Sequence, residues 1–539
     1  MRPVAYLAGH HAAAQLREFL AAHRRTRQVQ DALLRELIVR HRETAFGRDH
    51  GFDRIRSYED FAAAVPVGDY ETLRPYMRRV YEGEPTALLP GGEAVLMFSR
   101  SSGTTGEPKH VPVTRRFLGE MRRGWNIFGV KVLRDHPRGW LRPILQLSSP
   151  MRESLSPTGL PCGAISGLLA STQKPIVRRM YVARPEAVGE RDPGARYYAT
   201  LRCAIGRDVG IVTTANPSSA IKLIETGQQH AERLIRDVSD GTFTPPGDAA
   251  NFPSRRFRAD RGLARRLERG LAADGELRAT HFWKLAFMTL WTGGTLKLYL
   301  PRLRELYGEM PIRDIGLLAS EGRFSLPTVD GTAAGVAEIT ANFLEFIPAE
   351  AVGSANRPTL RADELDVGGE YFLVITNWAG LWRYNIDDRV RVIDRLGDSP
   401  VFEFLSRGRH TANVTGEKIT EHQVVEAMER AGGGRIVRFE MQARFALVPY
   451  YELRLEPTEG LDAAALADRM DEELSRLNIE YASKRRSGRL GAIRFLALAP
   501  GSLRRIESER IAARKGRGEQ YKHQYLLTEV LGEQAGSPG

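Results

Sequence analysis

Cysteine is nearly missing from this chain of 539 residues: only Cys162 and Cys203 occur, in no metal-ligand spacing. That excludes a disulfide framework and a structural zinc site as organising devices, and it fits a reducing compartment. Long apolar runs are missing too, and no stretch approaches the roughly 18 residues that a membrane-spanning helix needs. The first twenty residues are broken by His10, His11, Arg17 and Glu18 and lack the apolar core of a signal peptide. No membrane partner and a cytoplasmic location are therefore expected. There is no G-x-S-x-G elbow, which disfavours a serine hydrolase. The absence of internal repeats rules out a solenoid.

What is present is ordinary globular material, with 42% hydrophobic and 27% charged residues. The length exceeds what one hydrophobic core supports, so at least two domains are expected. The formal charge of +12 raises the question of nucleic acid or an anionic surface. No RNA- or DNA-binding motif accompanies it, so no nucleic-acid partner is expected. The basic residues are spread along most of the chain except between Lys484 and Lys522, where twelve Lys/Arg stand against Glu507, Glu509 and Glu519. That run reads either as a solvated face or as a surface that meets a phosphate-bearing substrate.

The first ~45 residues carry apolar positions at helical spacing, among them Leu16, Leu20, Val29, Leu33, Leu34 and Leu37. Onward to about residue 404, short apolar runs alternate with helical patterns. Ala94–Phe98, Ile144–Leu147, Ile315–Leu318 and Tyr371–Ile375 read as strands in α/β layers. Composition shifts at the polar, glycine-punctuated segment Ser406–Gly416. Beyond it, helices are expected at Glu421–Arg430 and Ala463–Leu477. Strands are expected in Arg435–Arg444, Phe445–Leu455 and Ile493–Leu498. The expected division is residues 1–404, a connecting segment 405–412, and a smaller α+β domain 413–539.

The strongest local signal is the segment Ser99–Lys109, directly after the apolar run Ala94–Phe98. Gly103 and Gly106 let the backbone turn and come close to a ligand. The hydroxyls of Ser101, Ser102, Thr104 and Thr105, free backbone N–H groups and Lys109 supply what a polyphosphate needs. The common P-loop is different, because here the lysine follows Glu107-Pro108 and precedes His110. The order S-S-G-T-T-G-x-P-K resembles the phosphate-binding signature of the adenylate-forming superfamily.

Three further stretches resemble that superfamily in the same order. Ser320-Glu321-Gly322 follows an apolar run, and the resemblance implies that Glu321 holds Mg²⁺ against ATP. Gly380–Asp388 is similar to the segment whose closing Asp bonds both ribose hydroxyls, a role a carboxylate suits because it accepts two hydrogen bonds. This implies Asp388, although Asp387 stands where the superfamily has Gly and is the alternative. In Phe404–Lys418, Arg407 takes the place of the nucleotide-binding Arg at a hinge, while Arg409 and His410 replace the usual hinge acids.

Finer matches run from about residue 40 to 525. They include Thr44–Phe52, Val65–Tyr70 continuing to Tyr76, Phe282–Leu285 with Thr292-Gly293-Gly294 and Tyr299, Phe343–Pro348 and Glu519–Gln524. These resemble the Gretchen Hagen acyl acid amido synthetases. The resemblance implies an α/β adenylate-forming N-terminal domain of layered sheets and helices, and a mobile C-terminal lid. It implies ATP and Mg²⁺ as cofactors, with a carboxylic acid and an amino acid or other amine as partners. Thr292, Gly293 and Gly294 would face the adenine, and Lys522 or Lys418 would reach the site on closure. His281, just before Phe282, reads either as a packed histidine or as the base for the amine. Two rivals stand: an acyl-CoA synthetase sharing the adenylation step, and a non-catalytic anion- or nucleic-acid-binding protein.

Overall fold

The computed structural model describes residues 2–101, 109–148, 151–173, 175–183, 193–247, 257–351, 358–408, 411–412, 414, 417, 419–433, 436, 438–446, 448–457, 461–486, 490–513 and 523–532. The chain forms two compact units, Met1–Gly293 with Glu305–Phe404, and Gly294–Arg304 with Leu405–Gly539.

In the larger unit, helices Arg2–Ala22 and Thr26–His41 occupy the N-terminal region read as helical. Four short parallel strands lie in the order Ile144–Leu147, Ile211–Thr214, Phe287–Leu290, Ile312–Asp314. Parallel neighbours require crossover connections, and helical segments fill each interval here. The carboxyl ends of such strands are where an α/β sheet presents ligand-binding loops.

The expected strand Ile315–Leu318 is displaced: the parallel strand is Ile312–Asp314, and the apolar run leads instead into the short hairpin Leu318–Ala319/Gly322–Arg323. Gly316 is the reason. It sits at φ 81°, where an added Cβ would lie 2.4 Å from the Ser325 carbonyl oxygen, so the extended run cannot continue through it. The true strand carries Arg313, buried between Asp135 (2.7 Å) and Asp330 (2.5 Å), so it does not read as apolar.

A seven-stranded sheet has the order Ser325–Leu326, Gly335–Ala337, Ser399–Arg407, Tyr384–Leu396, Glu370–Asn377, Asn342–Pro348, Leu360–Arg361. Its central strands are covered on both faces, since residues 342–347 and 371–377 are all buried. Trp378, Trp382, Phe343, Phe61 and Phe98 join one core there. In a third sheet, Val95–Ser101 pairs antiparallel with Lys109–Thr114. Ser101 and Lys109 are register partners at the ends of these two strands.

The smaller unit is an α+β layer, with strands ordered Arg494–Ala497, Tyr450–Leu455, Glu440–Phe445, Leu526–Gly532. Helix Glu421–Gly432 opens on a Thr420/Gln423 capping box, and helix Ala463–Leu477 on Asp462, whose side chain accepts from the Ala465 N–H. Val424, Met428, Leu466, Met470 and Leu474 pack with Met441, Tyr451 and Leu453 of the sheet. The run Arg435–Arg444 is strand only from Glu440. Among the described residues, no helix is long and apolar enough to cross a membrane.

Candidate active site

Several sequence candidates lie outside the described residues: Ser102, Gly103, Thr104, Thr105, Gly106, Arg409, His410, Lys418 and Lys522. The side chains of Ser101 and Arg407 lie outside them too, though their backbones end strands Val95–Ser101 and Ser399–Arg407.

Lys109 is described. Its Nζ donates to Tyr384 Oη at 3.1 Å and sits 5.6 and 5.7 Å from the ring centroids of Tyr70 and Tyr384. Contact with two aromatic rings favours an ammonium group and restricts its direction. Tyr70 Oη also accepts from the His110 N–H at 3.0 Å. Burial raises the Tyr70 phenol pKa, and the charge of Glu321 adds to that rise. Lys109 thus contacts both tyrosines, and Glu321 lies within electrostatic reach of Tyr70. Ser320 Oγ donates to the Arg100 carbonyl oxygen at 3.4 Å, joining the hairpin to strand Val95–Ser101.

Glu321 is 1% exposed, and its Oε1 has no hydrogen-bond partner among the described residues. Leaving a buried carboxylate oxygen unpaired is costly unless something else takes it up. A hard cation such as Mg²⁺ prefers carboxylate oxygen, so this donor fits the ion that the sequence implies. The peptide is fixed from below, where Asn377 Nδ2 donates to the Glu321 carbonyl oxygen at 2.7 Å. Two residues on, Arg323 lies 4.3 Å from the Trp125 ring centroid and donates to the Ile315 carbonyl oxygen at 2.7 Å.

The segment Gly380–Asp388 crosses from turn into strand. Arg383 is buried against Glu345 (2.8 Å) and also donates to the carbonyl oxygens of Ala62 and Val65, each at 2.9 Å. Its role is to tie the Val65–Asp69 loop to the sheet, reinforced by the Gly68 N–H donating to the Arg383 carbonyl oxygen. Register shifts between Phe372 and Val374, which face Arg389 and Asn385. In the resulting bulge Asp387 adopts φ 64°, a left-handed conformation that glycine takes without strain. The acid at the superfamily's glycine position therefore occupies glycine's backbone state, with its N–H donating to Asn385 Oδ1 at 2.9 Å. Asp388 is buried beside it, 6% exposed.

Thr292 and Gly293 follow strand Phe287–Leu290, and Gly294 opens a 3-10 turn that counts with the smaller unit. The Thr292 N–H and Oγ1 both donate to Asp314 Oδ2, at 2.5 and 2.8 Å. Sequence reading missed Asp314, because an acid ending a strand carries no motif of its own. Tyr70 and Tyr384 lay inside matched segments, without a signal that they meet Lys109. His281 has both ring nitrogens engaged, Nδ1 accepting from the Arg278 N–H at 3.2 Å and Nε2 bonded to Asp274 at 2.7 Å.

The chain matches the GH3 family N-terminal domain over residues 15–312, the central domain over 336–407 and the C-terminal domain over 421–530. It is similar to indole-3-acetic acid-amido synthetase GH3.8 of Oryza sativa subsp. indica, at 25% identity over 89% of this chain and 84% of that protein. It is also similar to jasmonoyl--L-amino acid synthetase JAR6 of Nicotiana attenuata, at 24% identity over 89% and 87%. The fold is shared with the solved AtGH3.15 acyl acid amido synthetase in complex with 2,4-DB, with a TM-score of 0.82 at 19% identity, over 97% of this chain and 94% of that one. With the N-terminal, central and C-terminal domain models matched in order along its length, the chain belongs to the GH3 family.

Proposed function

We propose that this chain is an ATP-dependent ligase that activates a carboxylic acid as its acyl-adenylate and transfers the acyl group to an amino acid, forming an amide. The observation that carries the reading is the ordered match of all three GH3 domains on a chain that spans 84% and 87% of two amido synthetase relatives.

In the first step a substrate carboxylate oxygen bonds to the α-phosphorus of ATP, and the bond from that phosphorus to the β-bridging oxygen breaks, releasing pyrophosphate. No protein nucleophile is needed; the task is to position two anions and offset charge. In this reading the Ser101–Gly106 segment and Lys109 hold the phosphates, and Ser320 and Glu321 flank them. Asp388 bonds the ribose, and Thr292, Gly293 and Gly294 face the adenine. Glu321 would hold Mg²⁺, which when bound offsets charge on phosphate oxygens. In the second step the amine nitrogen bonds to the acyl carbon, AMP leaves with the anhydride oxygen, and the nitrogen gives up a proton. Arg407, Lys418 and Lys522 belong to residues 405–412 and 413–539, read as hinge and lid, and assist when the lid closes.

The test supplies protein, Mg-ATP and a panel of carboxylic acids with mixed amino acids and coenzyme A, and identifies products by mass. Amide, AMP and pyrophosphate are expected. ADP as the nucleotide product would overturn adenylation. Thioester with no amide above the uncatalysed rate would overturn the amino-acid acceptor and leave adenylation standing.

A further inference from the structure

Between the two stretches read as nucleotide contacts sits one buried carboxylate. Asp314 closes the parallel strand Ile312–Asp314 and is 3% exposed. Its two oxygens serve opposite sides. Oδ2 accepts the Thr292 N–H at 2.5 Å and the Thr292 hydroxyl at 2.8 Å, while Oδ1 accepts the Gly316 N–H at 2.6 Å. The Gly293 N–H adds a further bond. The same joint is braced by the Trp291 indole N–H, which donates to the Gly316 carbonyl oxygen at 2.9 Å, and by the Ile315 N–H, which donates to the Leu290 carbonyl oxygen at 3.2 Å. Gly316 then leads into the hairpin that carries Ser320 and Glu321, where the Leu317 N–H donates to Ser325 Oγ at 2.9 Å.

An ionised carboxyl accepts on both oxygens and donates on neither, so it matches a ring of donors that no neutral side chain of the same size can satisfy. Burial pushes the Asp314 carboxyl up to about 6, and the Thr292, Gly316 and Gly293 donors pull it back toward ionisation. Arg323, on the far strand of the hairpin, lies within electrostatic reach of it. Nothing in this arrangement is needed to close the sheet, because strand Phe287–Leu290 already pairs with Ile312–Asp314 through backbone bonds.

We propose that Asp314 is a positioning residue that locks the Thr292–Gly293 turn to the Ser320–Glu321 hairpin, so that one carboxylate sets the spacing between the base-facing and phosphate-facing halves of the nucleotide site. The inference rests on the proposed ATP site and deepens it. Asp314 touches no reacting atom; it acts through Thr292 and Gly316. Replacing it by Asn puts an amide donor where one oxygen accepted, turning a matched joint into opposed N–H groups.

The experiment measures ATP and GTP binding by calorimetry, and pyrophosphate-release kinetics, for the wild type, Asp314→Asn and Thr292→Val. The second variant removes the hydroxyl bond from the other side and decides the matter if Asp314→Asn does not fold by circular dichroism. Expected for Asp314→Asn are a weaker Kd and a higher KM for ATP by about 10-fold or more, the scale of a lost charge-assisted hydrogen bond. Its kcat should stay within about 3-fold, the KM for the acid should be unchanged, and the preference for ATP over GTP should narrow. Thr292→Val should shift ATP binding in the same direction by a smaller factor. A folded Asp314→Asn with wild-type ATP affinity, or one whose kcat falls while both KM values hold, overturns the inference and leaves the ligase reading intact. A wild type that binds no ATP overturns both.

Discussion

Removing the Arg383 guanidinium should be among the most damaging single changes to the larger unit, though Arg383 lies within a segment read as nucleotide-binding. Arg383 and Glu345 form an ion pair with side chains 6% and 0% exposed. Truncating one partner of such a pair leaves the other charge buried and uncompensated, which costs about 3–5 kcal/mol. The carbonyl oxygens of Ala62 and Val65 lose their donors as well, at about 1 kcal/mol each. Arg383→Met should therefore cost about 5–7 kcal/mol. The double variant Arg383→Met/Glu345→Leu should cost well under the sum of its single changes, because no lone charge remains. Tyr58, which donates to Glu345 at 2.9 Å, keeps Thr359 as a partner at the same distance. A coupling of about 2–3 kcal/mol is expected. Urea unfolding followed by tryptophan fluorescence measures it, since Trp378 and Trp382 are buried in the core of this unit. A cost below about 1 kcal/mol for Arg383→Met, with strict additivity in the double variant, would refute the reasoning.

Acid should destabilise the fold through His23 and His41, whose imidazoles burial pushes down to about 4. The unfolded chain binds these protons near pH 6.5 and the folded chain does not, so stability present above pH 6.5 is lost as pH falls toward 4, by up to about 3 kcal/mol per histidine. His41→Gln should flatten the wild-type slope in that window. The wild-type-minus-variant difference is the quantity to read, because the raised Asp314 carboxyl works in the opposite direction between about pH 6 and 4. An unchanged slope would remove His41 from the account. Glu321→Ala and Asp388→Ala should each lower pyrophosphate release by about 10²–10³-fold with the folded fraction preserved. Asp387→Gly should retain activity, its glycine accepting φ 64° without strain. Loss of activity in Asp387→Gly, with Asp388→Ala near wild type, would move the ribose contact to Asp387.

The sequence by itself determined those elements whose signals lie within a few residues. Helix Ala463–Leu477 has its N-cap, apolar spacing and length written locally, and the structure reproduces its bounds. Ile144–Leu147 is a short apolar run and is a strand at those same residues. The apolar run Ala94–Phe98 lies in strand Val95–Ser101 from its second residue on. Only the tertiary structure decided the rest. Strand Ile312–Asp314 was hidden because its Arg313 is neutralised by Asp135, 178 residues away. The bulge that puts Asp387 at a left-handed angle exists because its partner strand, Glu370–Asn377, shifts register. Residues Gly294–Arg304 count with the smaller unit through contacts such as the ion pair of Lys297 with Glu429. Periodicity and capping act over one or two turns, whereas charge compensation, register and burial depend on partners the chain brings near only when it folds.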